Sequence, residues 1–402
     1  MTQKINFKNK FSYYIGLLLF IGLVHLYFKH NGQMDSTISE WLINYQGGFS
    51  RRGLLGEIFF QLSLFFEIKI RFIIFLFQAA IYGTFLILSY NFFKDLKHNY
   101  ITLLALFSPL LFIYHVAELE VLGRKEVLAF VHCLILINFL SFDLKKYAKY
   151  FFMMTYPILI LVWEPIIFFS GFYLVILLAH EKIDNFYELF KKSLFLLTPA
   201  ILVALFIITN DYTTAKQVKM CLALQSIGER CYMSLGFVTT SIKENYSILF
   251  NQIKIVHIFR YIVGLSIGFY PLFLIMKNIK KEKKIKNKVL YKINFVNLFF
   301  AVSSPIIVLY AMGLDWGRWS NIYYFYSIAM VFYLIKYNYV SINYFPIKAF
   351  LEKISLRKNY LLIFYFIILA GTWNFKTLFK GDIASLPMYR VPYKFIKMFL
   401  LN

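Results

Sequence analysis

The chain has 402 residues, of which 60% are hydrophobic and 16% charged, with a mean hydropathy of +0.64. A soluble domain of this length has no core large enough to hide that much apolar surface, so the composition calls for lipid as solvent. The formal net charge of +23 would suit a nucleic acid, but the lysines sit in short turns between apolar runs, a pattern of membrane topology that argues against a nucleic-acid partner.

About 20 apolar residues are needed to cross a bilayer as a helix. Runs of that kind are expected at 11–28, 72–93, 100–117, 127–142, 150–163, 165–180, 194–209, 258–276, 295–313, 321–338 and 360–374. The expected fold is therefore all-α: one polytopic transmembrane helical bundle over 1–402 with about eleven spans. The first run follows Lys4, Lys8 and Lys10 and is followed by Lys29-His30-Asn31 rather than by a small-residue cleavage site, so it reads as a retained first helix. In 54–66, Leu54, Leu55, Ile58, Leu62, Phe65 and Phe66 recur at helical spacing around Glu57 and Gln61. That pattern predicts an amphipathic helix lying in the interface after the first span.

Orientation follows from the lysines. Lys277, Lys280, Lys281, Lys283, Lys284, Lys286, Lys288 and Lys292 face a single acid, Glu282, which marks 277–294 as a basic cytoplasmic loop. Counting outward places the N-terminus and the turns at 94–98, 143–149, 181–192 and 336–358 on the same side. The count requires 150–180 to be a hairpin with Trp163-Glu164-Pro165 at its tip. One long proline-kinked helix would instead invert everything before it. The outer face then carries 29–71, 118–126, 210–257 (the longest outer loop), 314–320 and 375–402.

Four outer segments hold unusual chemistry. Gly47-Gly48-Phe49-Ser50-Arg51-Arg52-Gly53-Leu54-Leu55-Gly56-Glu57 pairs flexible glycines with Arg51 and Arg52, whose planar forks match phosphate oxygens, ahead of a helix start. Glu118-Leu119-Glu120-Val121-Leu122-Gly123-Arg124-Lys125-Glu126 crowds five ionisable groups into a turn. It is either an ion-pair cluster or a base beside an anion site formed by Arg124 and Lys125. Asp315-Trp316-Gly317-Arg318-Trp319 sets a charged pair between two indoles; an aromatic belt accounts for Trp316 and Trp319 but not for Asp315 and Arg318. Glu164 interrupts an apolar run, where a charge costs about 2.5–3.5 kcal/mol at mid-bilayer. Cys221 and Cys231 share the longest outer loop, either bridged or free. No Walker loop, GxGxxG or HExxH occurs, and no paired His or Cys spacing suggests a metal, so neither cofactor nor metal is expected. His25, His98, His115 and His132 are expected to face packed helices.

In size, span number and arginine-bearing outer loops, the whole chain resembles the Wzy-type O-antigen or capsule repeat-unit polymerases of bacterial envelopes. Its order is also similar to the C-type membrane glycosyltransferases: a cytoplasmic N-terminus, a first span, then an outer loop with interfacial helices and an acid. Asp35, Glu40 and Glu57 fall in that loop; Asp35 matches by position and Glu57 by context. The resemblance implies an inner-membrane glycosyltransferase whose site faces the periplasm. It also implies a polyprenyl-pyrophosphate-linked oligosaccharide as substrate, and a chain-length regulator as a partner. Arg51, Arg52, Arg124, Lys125 and Arg318 would hold the pyrophosphate, Trp316 and Trp319 would offer sugar platforms, and one of Glu57, Glu120, Glu164 and Asp315 would serve as base. A transferase using a polyprenyl-phosphate donor and a lipid-linked oligosaccharide flippase are the other classes this sequence leaves open.

Overall fold

A computed structural model of the chain describes residues 7–31, 36–96, 100–210, 213–231, 239, 242–343, 368–369, 371, 373–379 and 387–400. Asp35, His98 and most of the expected span at 360–374 lie outside the described residues. In chain order the helices are α1 (Phe7–Asn31), α2 (Ser36–Ser39), a 3-10 turn (Glu40–Leu42), α3 (Leu54–Phe66), α4 (Ile70–Phe93), α5 (Tyr100–Leu106), α6 (Tyr114–Ala117) and α7 (Glu126–Ser141). There follow α8 (Lys145–Val162), a 3-10 turn (Glu164–Phe169), α9 (Ser170–Leu178), α10 (Phe186–Thr209), α11 (Thr214–Ser226), α12 (Ile242–Gln252) and α13 (Ile255–Lys277). Strand β1 (Ile279–Lys281), α14 (Lys288–Lys292), α15 (Phe295–Ser303), a 3-10 turn (Ser304–Ile306), α16 (Ile307–Met312), α17 (Trp316–Lys336), β2 (Val340–Ile342) and α18 (Pro387–Leu400) complete the order.

The fold is mostly helical, and five helical segments are long and apolar enough to cross a membrane: Lys8–Asn31, Ile70–Phe93, Phe186–Thr209, Ile255–Lys277 and Phe295–Met312. Their outward side chains are apolar. Along α10 only Leu196 and Ala200 are buried, while Phe195, Leu202 and Ile208 are exposed, a surface that suits lipid and not water. The other expected spans take different forms. The run at 100–117 is not one helix: α5 stops before Ser108-Pro109 and a turn leads to α6. Pro109 lacks an N–H and pushes the residue before it out of helical geometry. Helix α17 is long, but it carries Arg318, Ser320, Asn321 and several tyrosines because it is packed inside protein along nearly its whole length.

The segment 150–180 is a hairpin. Lys149, early in α8, pairs with Glu181, just beyond α9, and His132 meets Thr155 on one arm (2.8 Å) and Tyr173 on the other (3.1 Å). Trp163-Glu164-Pro165 is therefore its tip.

The lysine turns gather at one end of the bundle. Strands β1 and β2 pair antiparallel, Ile279 with Ile342 and Lys281 with Val340, so the basic loop at 277–294 is ordered and adds a small sheet to the all-α expectation. The Lys288 N–H donates to Ile183 O at 2.8 Å, Lys284 Nζ to Tyr337 O at 2.8 Å and Lys336 Nζ to Phe92 O at 2.7 Å. Phe11 stacks on Tyr90 at 5.9 Å, bringing the start of α1 to the same end. The arginines of the segments expected on the outer face, Arg52, Arg124 and Arg318, lie at the other end.

Candidate functional site: a buried arginine–carboxylate cluster

Local geometry first fixes the loop that carries Arg51 and Arg52. Gly56 lets α3 press against the 41–43 backbone: a Cβ there would stand 1.9 Å from Ile43 O. Glu57 then clips the loop shut, accepting the Tyr45 N–H at 2.9 Å and Gln46 Nε2 at 2.7 Å. Arg52 adopts a left-handed backbone (φ 68), a conformation that costs a non-glycine residue on the order of 1–3 kcal/mol. Its carbonyl accepts Lys125 Nζ at 2.7 Å, and its side chain is held across the bundle. The 118–126 turn is held by Gly123, with φ 73, whose carbonyl accepts Trp41 Nε1 and Gln78 Nε2, each at 2.9 Å.

Four acids and four cations meet here. Arg52 forms a two-pronged pair with Glu164 at the hairpin tip, Nε to Oε2 at 2.6 Å and Nη2 to Oε1 at 2.8 Å. Arg318, only 2% exposed, forms a second with fully buried Glu126 at the start of α7, both bonds 2.8 Å. Arg318 Nη1 also reaches Asp315 Oδ2 at 3.2 Å. Glu40 stands between: its Oε1 is 3.3 Å from Arg318 Nη2 and 3.4 Å from Arg52 Nη1, and its Oε2 is 3.6 Å from Arg124 Nη1. Burial alone would raise the Glu40 pKa, but Arg318, Arg124, Arg52 and Lys125 outweigh it and bring it down to about 2. Lys125 is fully buried, and loss of hydration pulls its pKa down to about 7, against the opposing pull of Glu40. The guanidinium of Arg318 lies over the rings of Trp319 (5.4 Å) and Trp163 (6.0 Å). Both indole N–H groups are buried without an acceptor among the described residues.

Of the expected site residues, Arg52, Arg124, Lys125, Arg318, Glu164 and Asp315 come together. Arg51 joins them electrostatically beside Glu164, and Trp319 joins as a wall. Trp316 instead donates to Tyr310 O at 2.8 Å and packs on Tyr261, outside the cluster. Glu57 is the loop clip described above, and Glu120 is exposed, its carbonyl accepting Arg124 Nε. Glu40, at the centre, was signalled only by its place in the first outer loop; Glu126 was one of five ionisable residues in its turn, and nothing singled it out. Trp41, over whose ring Lys125 lies at 5.6 Å, had no sequence signal.

Three further contacts brace this end. Glu118 pairs with Arg390 of α18, Arg71 Nε with Glu229 Oε2 at 2.7 Å, and Cys221 with Cys231 as a disulfide. Among the described residues, no group of three or more His, Cys, Asp or Glu is placed to hold a metal ion.

Fold and site together define a helical membrane-type protein with a buried, arginine-rich ion cluster at the end opposite its lysine turns. Comparison with protein-family models, curated proteins and solved structures finds no match.

Proposed function

We propose that the chain is a membrane glycosyltransferase of bacterial envelope polysaccharide synthesis, polymerising polyprenyl-pyrophosphate-linked oligosaccharide repeat units on the periplasmic face of the inner membrane. The observation that carries this reading is the pair of two-pronged guanidinium–carboxylate contacts, Arg52–Glu164 and Arg318–Glu126, joined through Glu40. A guanidinium fork that grips a carboxylate in this way grips two phosphate oxygens equally well. Buried carboxylates set among more arginines than a turn needs are expensive unless they serve a site.

The cluster is closed on itself, so an entering pyrophosphate takes the place of a carboxylate. Arg52, partly open and next to Arg51, is the fork that exchanges, releasing Glu164. Arg124 and Lys125 add charge, while Arg318 stays locked to buried Glu126 and holds the frame. In the transfer step, the acceptor hydroxyl oxygen bonds to the anomeric carbon as that carbon's bond to the phosphate oxygen breaks. Polyprenyl pyrophosphate leaves with the electron pair, stabilised by the arginines, and the hydroxyl proton passes to a carboxylate. Glu40 and Glu164 take the base role ahead of Asp315. With pyrophosphate drawing the cations, the Glu40 carboxylate regains basicity that Arg318, Arg124 and Arg52 otherwise suppress. The buried indole N–H donors of Trp163 and Trp319, which have no acceptor among the described residues, suit sugar hydroxyls that enter the cluster.

The test uses cells lacking the gene, complemented at matched protein levels with the wild type, Arg52→Ala or Arg52→Lys. Their surface polysaccharide is resolved by gel. Loss of the long-chain ladder in Arg52→Ala, with single repeat units still reaching the surface carrier, is the expected result. Arg52→Lys keeps the charge but loses the fork and should recover little of it. An unchanged ladder in Arg52→Ala removes this site from the reaction. Absence of all repeat units from the surface replaces the polymerase reading with a flippase.

A further inference from the structure

We infer that the cleft at the lysine end, between the close of α13, strand β1 and the start of α15, binds the phosphate headgroup of an anionic phospholipid. The inference is independent of the polymerase reading and concerns the opposite end of the molecule.

The cleft is a cavity of about 470 Å³, lined among others by Lys277, Lys280, Lys281, Tyr291, Asn294 and Phe295. That volume falls within the range of about 300–1,000 Å³ usual for small-ligand sites. Its lysines divide into two kinds. Lys281 is part of the wall: its Nζ donates to Leu290 O at 3.0 Å, to Tyr291 O at 2.6 Å and to Ile293 O, capping carbonyls at the end of α14. Lys277 and Lys280 are exposed and have no acid partner among the described residues. The nearest acid in sequence, Glu282, is turned away and accepts the Ser341 hydroxyl on β2. The pairing of β1 with β2, which sets Lys280 against Ser341, fixes the strand that lines the cleft.

Helix α15 begins at the cleft. Asn294 caps it by accepting the Val296 N–H at 2.9 Å, and the rest of its first turn carries free N–H ends that favour an anion. Lys277 and Lys280, the start of α15 and a rigid wall line one cavity, which together describe a phosphate site. The surroundings assign it to a lipid over a soluble phosphate. Phe273 on α13 and Phe300 on α15, both exposed, continue from the cleft along the two membrane-length segments, where acyl chains would lie.

The full-length protein, purified in detergent and transferred to nanodiscs, would be examined by native mass spectrometry with phosphatidylglycerol or phosphatidylethanolamine. Wild type should retain phosphatidylglycerol on the order of tenfold or more over phosphatidylethanolamine, given the contribution of each lysine at a membrane surface. Lys277→Gln/Lys280→Gln should lose that preference, while Lys283→Gln/Lys286→Gln, which removes the same charge outside the cleft, should keep it. Val296→Trp fills the cavity without touching a charge and should also lose it, which decides the question if the lysine variant does not insert. Equal loss in both double variants, or retention in both, overturns the site. Displacement of the lipid by glycerol phosphate at equal concentration overturns the lipid assignment in favour of a soluble phosphate.

Discussion

The two ends of the molecule both carry excess positive charge, and they handle it in opposite ways. At the site end the cations are mostly arginines, buried and forked onto carboxylates that come from distant elements. At the opposite end they are mostly lysines, which donate to backbone carbonyls, as Lys284 and Lys336 do, pair with acids near the surface, as Lys288 does with Asp184, or point into solvent. The difference follows from the side chains. A guanidinium is weakly hydrated and planar, so it can be taken out of water if a carboxylate matches both prongs; an ammonium holds its water and stays at the edge. Charge at the lysine end therefore stays near water, whereas charge at the arginine end has been carried into the interior at a cost.

Breaking one pair at each end sharpens that contrast. Arg318→Ala leaves Glu126 buried without its partner and should destabilise the protein by about 3–5 kcal/mol, read as a large fall in thermal midpoint in detergent. A small change would show that water or rearrangement reaches Glu126, and that the cluster is softer than its geometry. A subtler effect comes from Lys125. Its folded-state pKa of about 7 lies below the ordinary 10.5, so between those values the unfolded chain binds the extra proton. Stability should then rise with pH from about 7 to 10.5, and below 7 the full penalty of charging a buried lysine applies. Lys125→Met should flatten that slope, measured as thermal midpoint against pH; an unchanged slope would assign it to other groups. The smallest effect is expected at the other end. Lys288 and Asp184 pair at 2.7 Å with both side chains largely in solvent, so Lys288→Gln should leave the thermal midpoint where it was. A clear drop there would mean that the lysine end is as tightly built as the arginine end.

The parts of the site legible in the sequence were the residues whose presence contradicted their surroundings. Arg51 and Arg52 beside glycines, Glu164 within an apolar run, and Asp315 with Arg318 between indoles each stood out against an expected helix or turn. Glu57 stood out equally and turned out to secure its own loop through Tyr45 and Gln46. Glu120 differs from Glu126 only by position on the turn, yet one is in solvent and the other is the most buried acid of the cluster.

Composition and hydropathy by themselves determined that this is a helical chain suited to lipid, and the lysine spacing determined which turns gather at one end. Both are local properties, because apolar length and charge act on a helix wherever its partners are. Partnership was decided by the tertiary structure alone. Arg52 finds Glu164 across 112 residues of sequence and Arg318 finds Glu126 across 192. Glu40 becomes the centre only because the first outer loop, the 118–126 turn, the hairpin tip and the start of α17 converge on it. Periodicity reports which face a residue occupies, and only packing reports what that face meets.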